Sequence, residues 1–276
     1  MPGVEAQAGG LRQWLATAHP EQTEVITDPG QRRALVVELV LVLAATLGLA
    51  GLRGLLALLD ALLAPAALPD QAVAINAPAR QIPLLDLAYQ VTGVIQLIAW
   101  GGLGGYLLWR SGVRLRSLGL DRGALRRDAS LGVGLAAAIG IPGLGLYLIA
   151  RAVGLNLTVL PSALDDTWWR VPVLLASAVA NALAEELLVV GYLITRLRQL
   201  GWGASGALVA SALLRGSYHL YQGFGGFLGN VVMGLVFGQV WQRTRRLWAL
   251  VIGHAVIDVV AFVGYAVLHG RLGWLP

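Results

Sequence analysis

The chain has no cysteine among its 276 residues, no lysine, and few charges of either sign. Without cysteine it can form no disulfide and has neither a thiol nucleophile nor a thiolate metal ligand. Only 13% of its residues are charged, whereas 57% are hydrophobic, and the mean hydropathy is +0.70. A soluble domain needs more charge than this to cover its surface. The composition therefore predicts a protein for which lipid is much of the solvent.

The net charge of +5 comes from arginine alone. A basic chain can bind nucleic acid, but these arginines form short clusters between apolar runs, which favours a role in membrane topology. We therefore predict the lipid bilayer, and no nucleic acid, as a partner. Abundant Ala, Gly, Leu, Val and Arg without Lys indicates a GC-rich bacterial coding sequence.

Apolar segments dominate the chain after a mixed, polar tail at 1–33. A membrane-spanning helix needs about 20 apolar residues, and most of the segments are long enough. The segments run roughly over 34–60, 84–109, 130–153, 172–195, 204–221, 226–243 and 247–269. The predicted fold is therefore an all-α, polytopic membrane helix bundle of 7–8 segments, with an integral membrane domain at 34–276.

The apolar pattern is interrupted at two places, one inside the first segment and one between the fifth and sixth segments. Arg53 interrupts the first, so we expect a membrane helix to end there and to continue at the interface. The fifth and sixth segments are short and are separated by the glycine-rich stretch 223–226. We predict a re-entrant break near 222–226, where the chain turns back within the bilayer, a conformation that needs protein or a wet cavity around it.

Arginine placement predicts the orientation. With the N-terminus inside, most arginines fall in the inner connections, as the positive-inside rule requires, and tryptophans lie near both ends of the segments. The sequence thus predicts a multi-pass protein of the cell membrane, either inner or plasma, with a cytoplasmic N-terminal tail.

Polar groups inside the apolar segments are the candidate site residues, because a charge at the bilayer centre costs about 2.5–3.5 kcal/mol. They lie on the fourth, fifth and seventh segments: Asn181, Glu185 and Glu186; Arg215 and His219; His254 and Asp258.

Helical spacing predicts which of these side chains share a face. Residues four apart lie on one side of a helix, so Arg215 lies beside His219, His254 beside Asp258, and Asn181 beside Glu185. Glu185 and its neighbour Glu186 point about 100° apart, so we expect one to face a cavity and the other to accept structural hydrogen bonds.

Two carboxylates and two imidazoles in a low-dielectric cavity suit general acid–base hydrolysis. Two His and one Glu could also bind a divalent metal ion, although no His-Glu-x-x-His motif favours that interpretation. We predict no cofactor, and the sequence does not exclude a divalent metal. The carboxylates could instead be a structural pair neutralised by Arg215.

Three short motifs occur in order on the candidate segments. They are Glu185-Glu186, the His219 motif within SALLRGSYHLYQG, and His254-x-x-x-Asp258 within RLWALVIGHAVID. Over about 165–269 the chain resembles the type II CAAX-prenyl-endopeptidase-like (CPBP or Abi) family. That family carries Glu-Glu-x-x-x-Arg, Phe-x-x-x-His and His-x-x-x-Asn/Asp on successive membrane helices.

The chain departs from the family pattern at two positions. Val190 stands where the family has arginine, and Arg215 stands where it has phenylalanine. Our hypothesis is that Arg215 supplies the missing cation from the facing helix.

The resemblance implies a fold of eight or so helices around a conical cavity and hydrolysis of a peptide bond. It implies Glu185 as general base for water, His219 as the residue that helps to position this water or shares in proton transfer, His254 and Asp258 as stabilisers of the oxyanion, and Glu186 as a structural or electrostatic group. Asn181 and Arg215 are supporting residues. The implied partner is a peptide or protein substrate, which need not be prenylated in a bacterium.

Two other functions remain open at this point. A non-catalytic scaffold or immunity protein with a decayed site is one, and the departures at Val190 and Arg215 favour it. A transporter with Glu/His proton coupling is the other, although the chain has no pair of matching halves. Nothing in the sequence indicates the oligomeric state.

Overall fold

The computed structural model describes residues 24–121 and 123–268, so most of the predicted tail and Arg122 lie outside the described residues. Within these ranges the chain forms eight helices. They are α1 (Pro29–Ala45), α2 (Leu47–Leu63), α3 (Pro83–Arg110), α4 (Leu125–Ala152), α5 (Arg170–Gln199), α6 (Ala204–Ser217), α7 (Phe224–Thr244) and α8 (Leu247–Leu268). The predicted all-α polytopic bundle is confirmed.

Five of these helices, α3, α4, α5, α7 and α8, are long and apolar enough to cross a membrane, and the bent pair of α1 and α2 provides a sixth candidate. The central helix is α5. It buries 67% of its most apolar window, whereas the other long helices bury 39% or less. Most side chains on α5 therefore face other helices rather than lipid, which makes this helix suitable for polar groups.

The first apolar segment breaks at Thr46 and not at Arg53, so the expectation for this segment is wrong. The Thr46 hydroxyl donates to the Val42 carbonyl at 2.6 Å, and α1 and α2 meet at a bend of 49°. Arg53 lies inside α2, which continues to Leu63. A threonine hydroxyl that bonds back to the previous turn commonly bends a helix.

The break between α6 and α7 is present, and it starts a few residues earlier than predicted, at Tyr218. With 14 residues, α6 rises about 21 Å, which is less than the ~30 Å of a hydrocarbon core. The turn at 218–223 ends at Gly223, whose φ of 113° is a conformation that side chains rarely adopt. A Cβ at Gly223 would also lie 2.7 Å from the Asn156 Cα atom.

Backbone hydrogen bonds hold this turn to the chain after α4. The Leu157 N–H donates to the Gln222 carbonyl at 3.0 Å, and the Phe224 N–H donates to the Leu155 carbonyl at 2.9 Å. The buried Asn156 side chain accepts from the Gly226 N–H at 3.0 Å. These contacts provide the protein surroundings that an irregular backbone would need inside a bilayer.

A small parallel sheet, which the sequence did not predict, joins two of the connections. Its strands are β1 (Ala72–Asn76) and β2 (Thr158–Ser162), paired with Ala72 opposite Thr158. The strands lie in the connections from α2 to α3 and from α4 to α5. Each strand has only five residues, too few to show a clear alternation against the long apolar helices.

Candidate active site

Glu185 and Glu186 lie near the middle of α5, at a change in helix geometry. The regular α-helix ends at Glu185, and a π-helical stretch runs over Glu186–Ile194. Such wider turns occur often at functional sites, because they change the direction of side chains on a helix. No signal in the sequence pointed to this stretch. Val190, where the family motif has arginine, is inside it and fully buried.

Glu186 is completely buried and is bound by two basic side chains. Its Oε1 accepts a hydrogen bond from Arg215 Nη2 at 2.6 Å and lies 2.8 Å from His254 Nδ1. Because the carboxylate oxygen is an acceptor, Nδ1 of His254 must carry a proton in this contact. Oε2 of Glu186 is sealed from solvent and has no hydrogen-bond partner in the part of the chain that the structure describes.

Glu185 has different surroundings. Its Oε2 accepts from the Tyr218 hydroxyl at 2.6 Å and lies 3.6 Å from Arg215 Nη1. Glu185 keeps 3% of its surface exposed. Its Oε1 accepts no hydrogen bond from the described residues and is not sealed from solvent. The adjacent carboxylates are therefore distinct, as their helical angle predicted: one is enclosed between cations, and the other retains an accessible oxygen.

His254 and Asp258 lie on one face of α8, as their spacing predicted. His254 Nε2 is 3.6 Å from Asp258 Oδ2, and the same oxygen accepts from Asn181 Nδ2 at 3.0 Å. Asn181 thus reaches across to α8 as well as sharing a helix side with Glu185. Asn181 and Asp258 together limit the orientations that the His254 ring can take.

His219 lies in the turn after α6, next to this cluster. Its Nδ1 is 3.3 Å from Gln222 Nε2, and its ring is 4.9 Å from the Tyr218 ring. Nε2 of His219 is buried, and none of the described residues gives it a hydrogen-bond partner. Gln222 also donates to the Tyr221 hydroxyl at 3.0 Å, so one side of the imidazole is fixed and the other is free.

Arg215 joins the two glutamates. It is fully buried, with its guanidinium 5.9 Å from the centre of the Phe237 ring. Nε and Nη1 have no hydrogen-bond partner among the described residues, although Nη1 faces Glu185. Since arginine stays charged in proteins, Arg215 provides a permanent positive charge between two carboxylates.

Tyr218 and Gln222 are the contacts that sequence reasoning missed. Both are close in sequence to His219, which was the available signal, but an aromatic residue near a helix end is equally typical of a membrane interface. Gly54 explains the position of Tyr218, since a Cβ on this α2 residue would lie 2.7 Å from the Ser217 carbonyl oxygen. The close approach of α2 fixes the backbone that carries Tyr218.

The described residues contain no group of three or more His, Cys, Asp or Glu side chains arranged to hold a metal ion. Glu186 is already bound by Arg215 and His254, and a cation that close disfavours a metal at the same carboxylate. The arrangement suits proton transfer better. It combines an accessible carboxylate oxygen, a free imidazole nitrogen and a permanent cation within a buried site.

A second buried polar cluster lies near the C-terminal end of α5. Arg196 is 2% exposed, although its place at the end of an apolar run is typical of an exposed topological charge. It contacts Glu38 Oε1 at 2.9 Å and donates to the Leu107 carbonyl, also at 2.9 Å. Ser111 and Gln199 accept from its Nη1, and the Tyr192 hydroxyl donates to Glu38 at 2.9 Å.

This geometry defines a polytopic membrane protein with a buried Glu/His/Arg site on its central helices. Residues 167–260 match the family model for the type II CAAX prenyl endopeptidase Rce1-like proteins. The match spans α5 to α8 up to just after Asp258 and confirms the resemblance predicted from the motifs. Over this region the chain is similar to CAAX proteases of the membrane. Comparisons with curated proteins and with solved structures found no match.

Proposed function

We propose that the protein is an intramembrane endopeptidase that hydrolyses a peptide bond with water activated by Glu185. The observation that carries this proposal is the difference between the paired carboxylates. Glu186 is sealed by Arg215 and His254, whereas Glu185 has one oxygen bound and the other accessible. A carboxylate with a free oxygen in a low-dielectric site is a suitable general base.

In the proposed reaction, Glu185 Oε1 takes a proton from water while the water oxygen attacks the carbonyl carbon of the peptide. The negative charge moves to the carbonyl oxygen, where a donor on His254 stabilises it. Collapse of the tetrahedral intermediate breaks the C–N bond, and Glu185 returns the proton to the leaving nitrogen. The free Nε2 of His219 binds the attacking water.

The remaining residues support these steps. Glu186 holds Arg215 and His254 in place, and Asp258 with Asn181 orients the imidazole of His254. Water activation by a carboxylate needs no metal ion, so we propose none. The substrate is a peptide or a protein segment that reaches the site from the bilayer of the cell membrane. We propose that the N-terminus lies in the cytoplasm.

Comparative peptidomics of membranes tests this function. Membranes with the wild type, Glu185→Gln or Glu38→Gln are compared at matched expression. Glu38→Gln is the control because it makes the same substitution at a carboxylate in the second cluster. We expect specific shortened peptides with the wild type and with Glu38→Gln, and their loss with Glu185→Gln, by about 10²–10⁴-fold in cleavage rate.

Identical profiles for all three proteins would contradict the protease. They would favour the second candidate, a non-catalytic scaffold of the same fold, for which the observation is the pair of departures from the family motifs at Val190 and Arg215. Photo-crosslinking then separates the two candidates, since a scaffold captures the same intact partner whether residue 185 is Glu or Gln.

A further inference from the structure

The turn after α6 places a tyrosine hydroxyl on the proposed general base. Tyr218 is 7% exposed, and its hydroxyl donates to Glu185 Oε2 at 2.6 Å. This distance is typical of a charge-assisted hydrogen bond between a hydroxyl and a carboxylate, which is about twice as strong as a neutral one. The family motif Phe-x-x-x-His leaves position 218 unspecified, so the resemblance assigns no role to Tyr218.

The hydrogen bond makes the two oxygens of Glu185 unequal. Oε2 receives the Tyr218 hydroxyl and faces Arg215 Nη1 at 3.6 Å, so its lone pairs are directed to the protein. Oε1 accepts no hydrogen bond from the part of the chain that the structure describes, and it is not sealed from solvent. A glutamate held at one oxygen presents the other in a fixed direction.

Three elements hold Tyr218 itself. The α2 helix lies against its backbone at Gly54, where a Cβ would be 3.4 Å from the Tyr218 Cα atom. The His219 ring packs on the Tyr218 ring, and the turn is bound to the chain after α4 through Asn156. The phenol therefore has little freedom and can transmit its position to Glu185.

We propose that Tyr218 is the positioning residue of the general base: it fixes Glu185 through Oε2 and so directs Oε1 towards the attacking water. The inference rests on the proposed function for its effect on catalysis. The hydrogen bond can be tested without any activity. Fixing a base in the geometry of reaction accelerates the chemical step, whereas it leaves substrate binding unchanged.

The chain provides a matched control. Tyr192 donates to Glu38 Oε1 at 2.9 Å in the second cluster, so it makes a tyrosine–glutamate hydrogen bond on the same helix as Glu185. Tyr192 is fully buried, as Tyr218 nearly is. The variants Tyr218→Phe and Tyr192→Phe therefore each remove a phenol hydroxyl that donates to a glutamate. Of the two tyrosines, only Tyr218 contacts the candidate site.

The first measurement is infrared difference spectroscopy of the purified protein in lipid. The Glu185 carboxylate band is isolated by subtracting the spectrum of Glu185→Gln, in the wild type and in each tyrosine variant. We expect the band to shift in Tyr218→Phe and to stay in place in Tyr192→Phe. A band that is unchanged by Tyr218→Phe would overturn the proposal, whatever the activity of the protein.

The second measurement uses a fluorogenic peptide with the sequence of the strongest cleavage found by peptidomics. We expect Tyr218→Phe to lower kcat by about 10- to 100-fold with KM within about twofold of the wild type. Tyr192→Phe should lower thermal stability without this loss of kcat. A shifted band together with an unchanged kcat would also overturn the positioning role.

The two proposals fail in different ways. If the wild type cleaves no peptide while the Glu185 band shifts in Tyr218→Phe, the protease is wrong and the tyrosine–glutamate contact is real. If the wild type cleaves a peptide and the Glu185 band does not shift in Tyr218→Phe, the positioning role of Tyr218 is wrong and the proposed protease function stands.

Discussion

Two buried arginine–glutamate clusters on α5 differ in how well their polar atoms are paired. In the second cluster, Arg196 binds Glu38, two other side chains and a backbone carbonyl, and of its three guanidinium nitrogens only Nε has no hydrogen-bond partner among the described residues. In the candidate site, Arg215 binds Glu186, and two of its three nitrogens have no hydrogen-bond partner among the described residues. One oxygen of Glu186 and one nitrogen of His219 are in the same condition.

The difference separates a structural network from one that has room for other molecules. A polar network inside a protein adds rigidity when most of its groups are paired, whereas a site with many buried unpaired groups is costly and calls for water or a ligand. Arg215, Glu186 and His219, which carry these unpaired atoms, belong to the same cluster as Glu185. Under the proposed function, their hydrogen-bonding capacity would be used by water and by a peptide carbonyl.

The largest expected effect is the loss of the cation in the site. Arg215→Met leaves Glu186 buried with only His254 beside it, so we expect the free energy of unfolding to fall by about 3–5 kcal/mol. Reversible unfolding in mixed micelles measures the change. A decrease below about 1 kcal/mol would mean that water already solvates Glu186, which would remove the contrast between the clusters.

A double-mutant cycle tests whether Arg215 stands in for the family arginine. In Arg215→Phe with Val190→Arg, the cation returns from α5, the position that the family motif gives it. We expect the two substitutions to be coupled by about 1–2 kcal/mol, so that the double variant unfolds less readily than the sum of the single variants predicts. Additive losses of stability, or a double variant that does not fold, would contradict this hypothesis.

The long apolar runs predicted the helices, because a bilayer selects segments of about 20 residues strongly. The same principle located Glu185, His219 and His254, since charged groups inside such runs are rare. The sequence did not predict the hydrogen bond from Tyr218, because it depends on α2 and on a turn held by a distant connection.

The burial of Arg196 was also not predictable from the local sequence. At the end of an apolar run this arginine has the pattern of a topological charge, and only the packing of α1 and α3 encloses it. The π-helical stretch at Glu186–Ile194 also has no pattern of its own, because its residues are apolar throughout after the glutamate. Local sequence thus indicated the buried groups of the candidate site, whereas tertiary packing decided their partners and the burial of Arg196.

Replacing arginine by methionine should lower the free energy of unfolding less in the second cluster than in the candidate site. Arg196→Met removes a cation whose partner Glu38 is 28% exposed and can be solvated by water. We expect the free energy of unfolding to fall by about 1–3 kcal/mol, mainly because Ser111 and Gln199 lose the hydrogen bonds that they accept from Arg196. The same micelle assay measures it, and peptide cleavage per folded molecule should stay at the wild-type value. Loss of cleavage in a folded variant would show that the clusters are coupled.

The smallest expected effect concerns a third arginine pair, which lies outside the membrane spans. Arg246 contacts Asp121 Oδ2 at 2.6 Å, and this hydrogen bond, with a second from the Gly123 N–H, lowers the pKa of Asp121 below its usual 3.8. Because the folded pKa is the lower one, Asp121 stabilises the protein above about pH 4 and loses this contribution as the pH falls through the folded pKa.

Thermal unfolding of Asp121→Asn at pH 7 and at pH 3 tests this third pair. The variant should melt slightly below the wild type at pH 7, by less than Arg196→Met, and the gap should narrow at pH 3. Asp60→Asn, at an exposed carboxylate for which the described residues offer no ion pair, controls for the loss of a charge. A gap that is the same at both pH values would mean that water, and not Arg246, sets the charge of Asp121. Solvated pairs of this kind would then contribute almost nothing beside the two buried clusters.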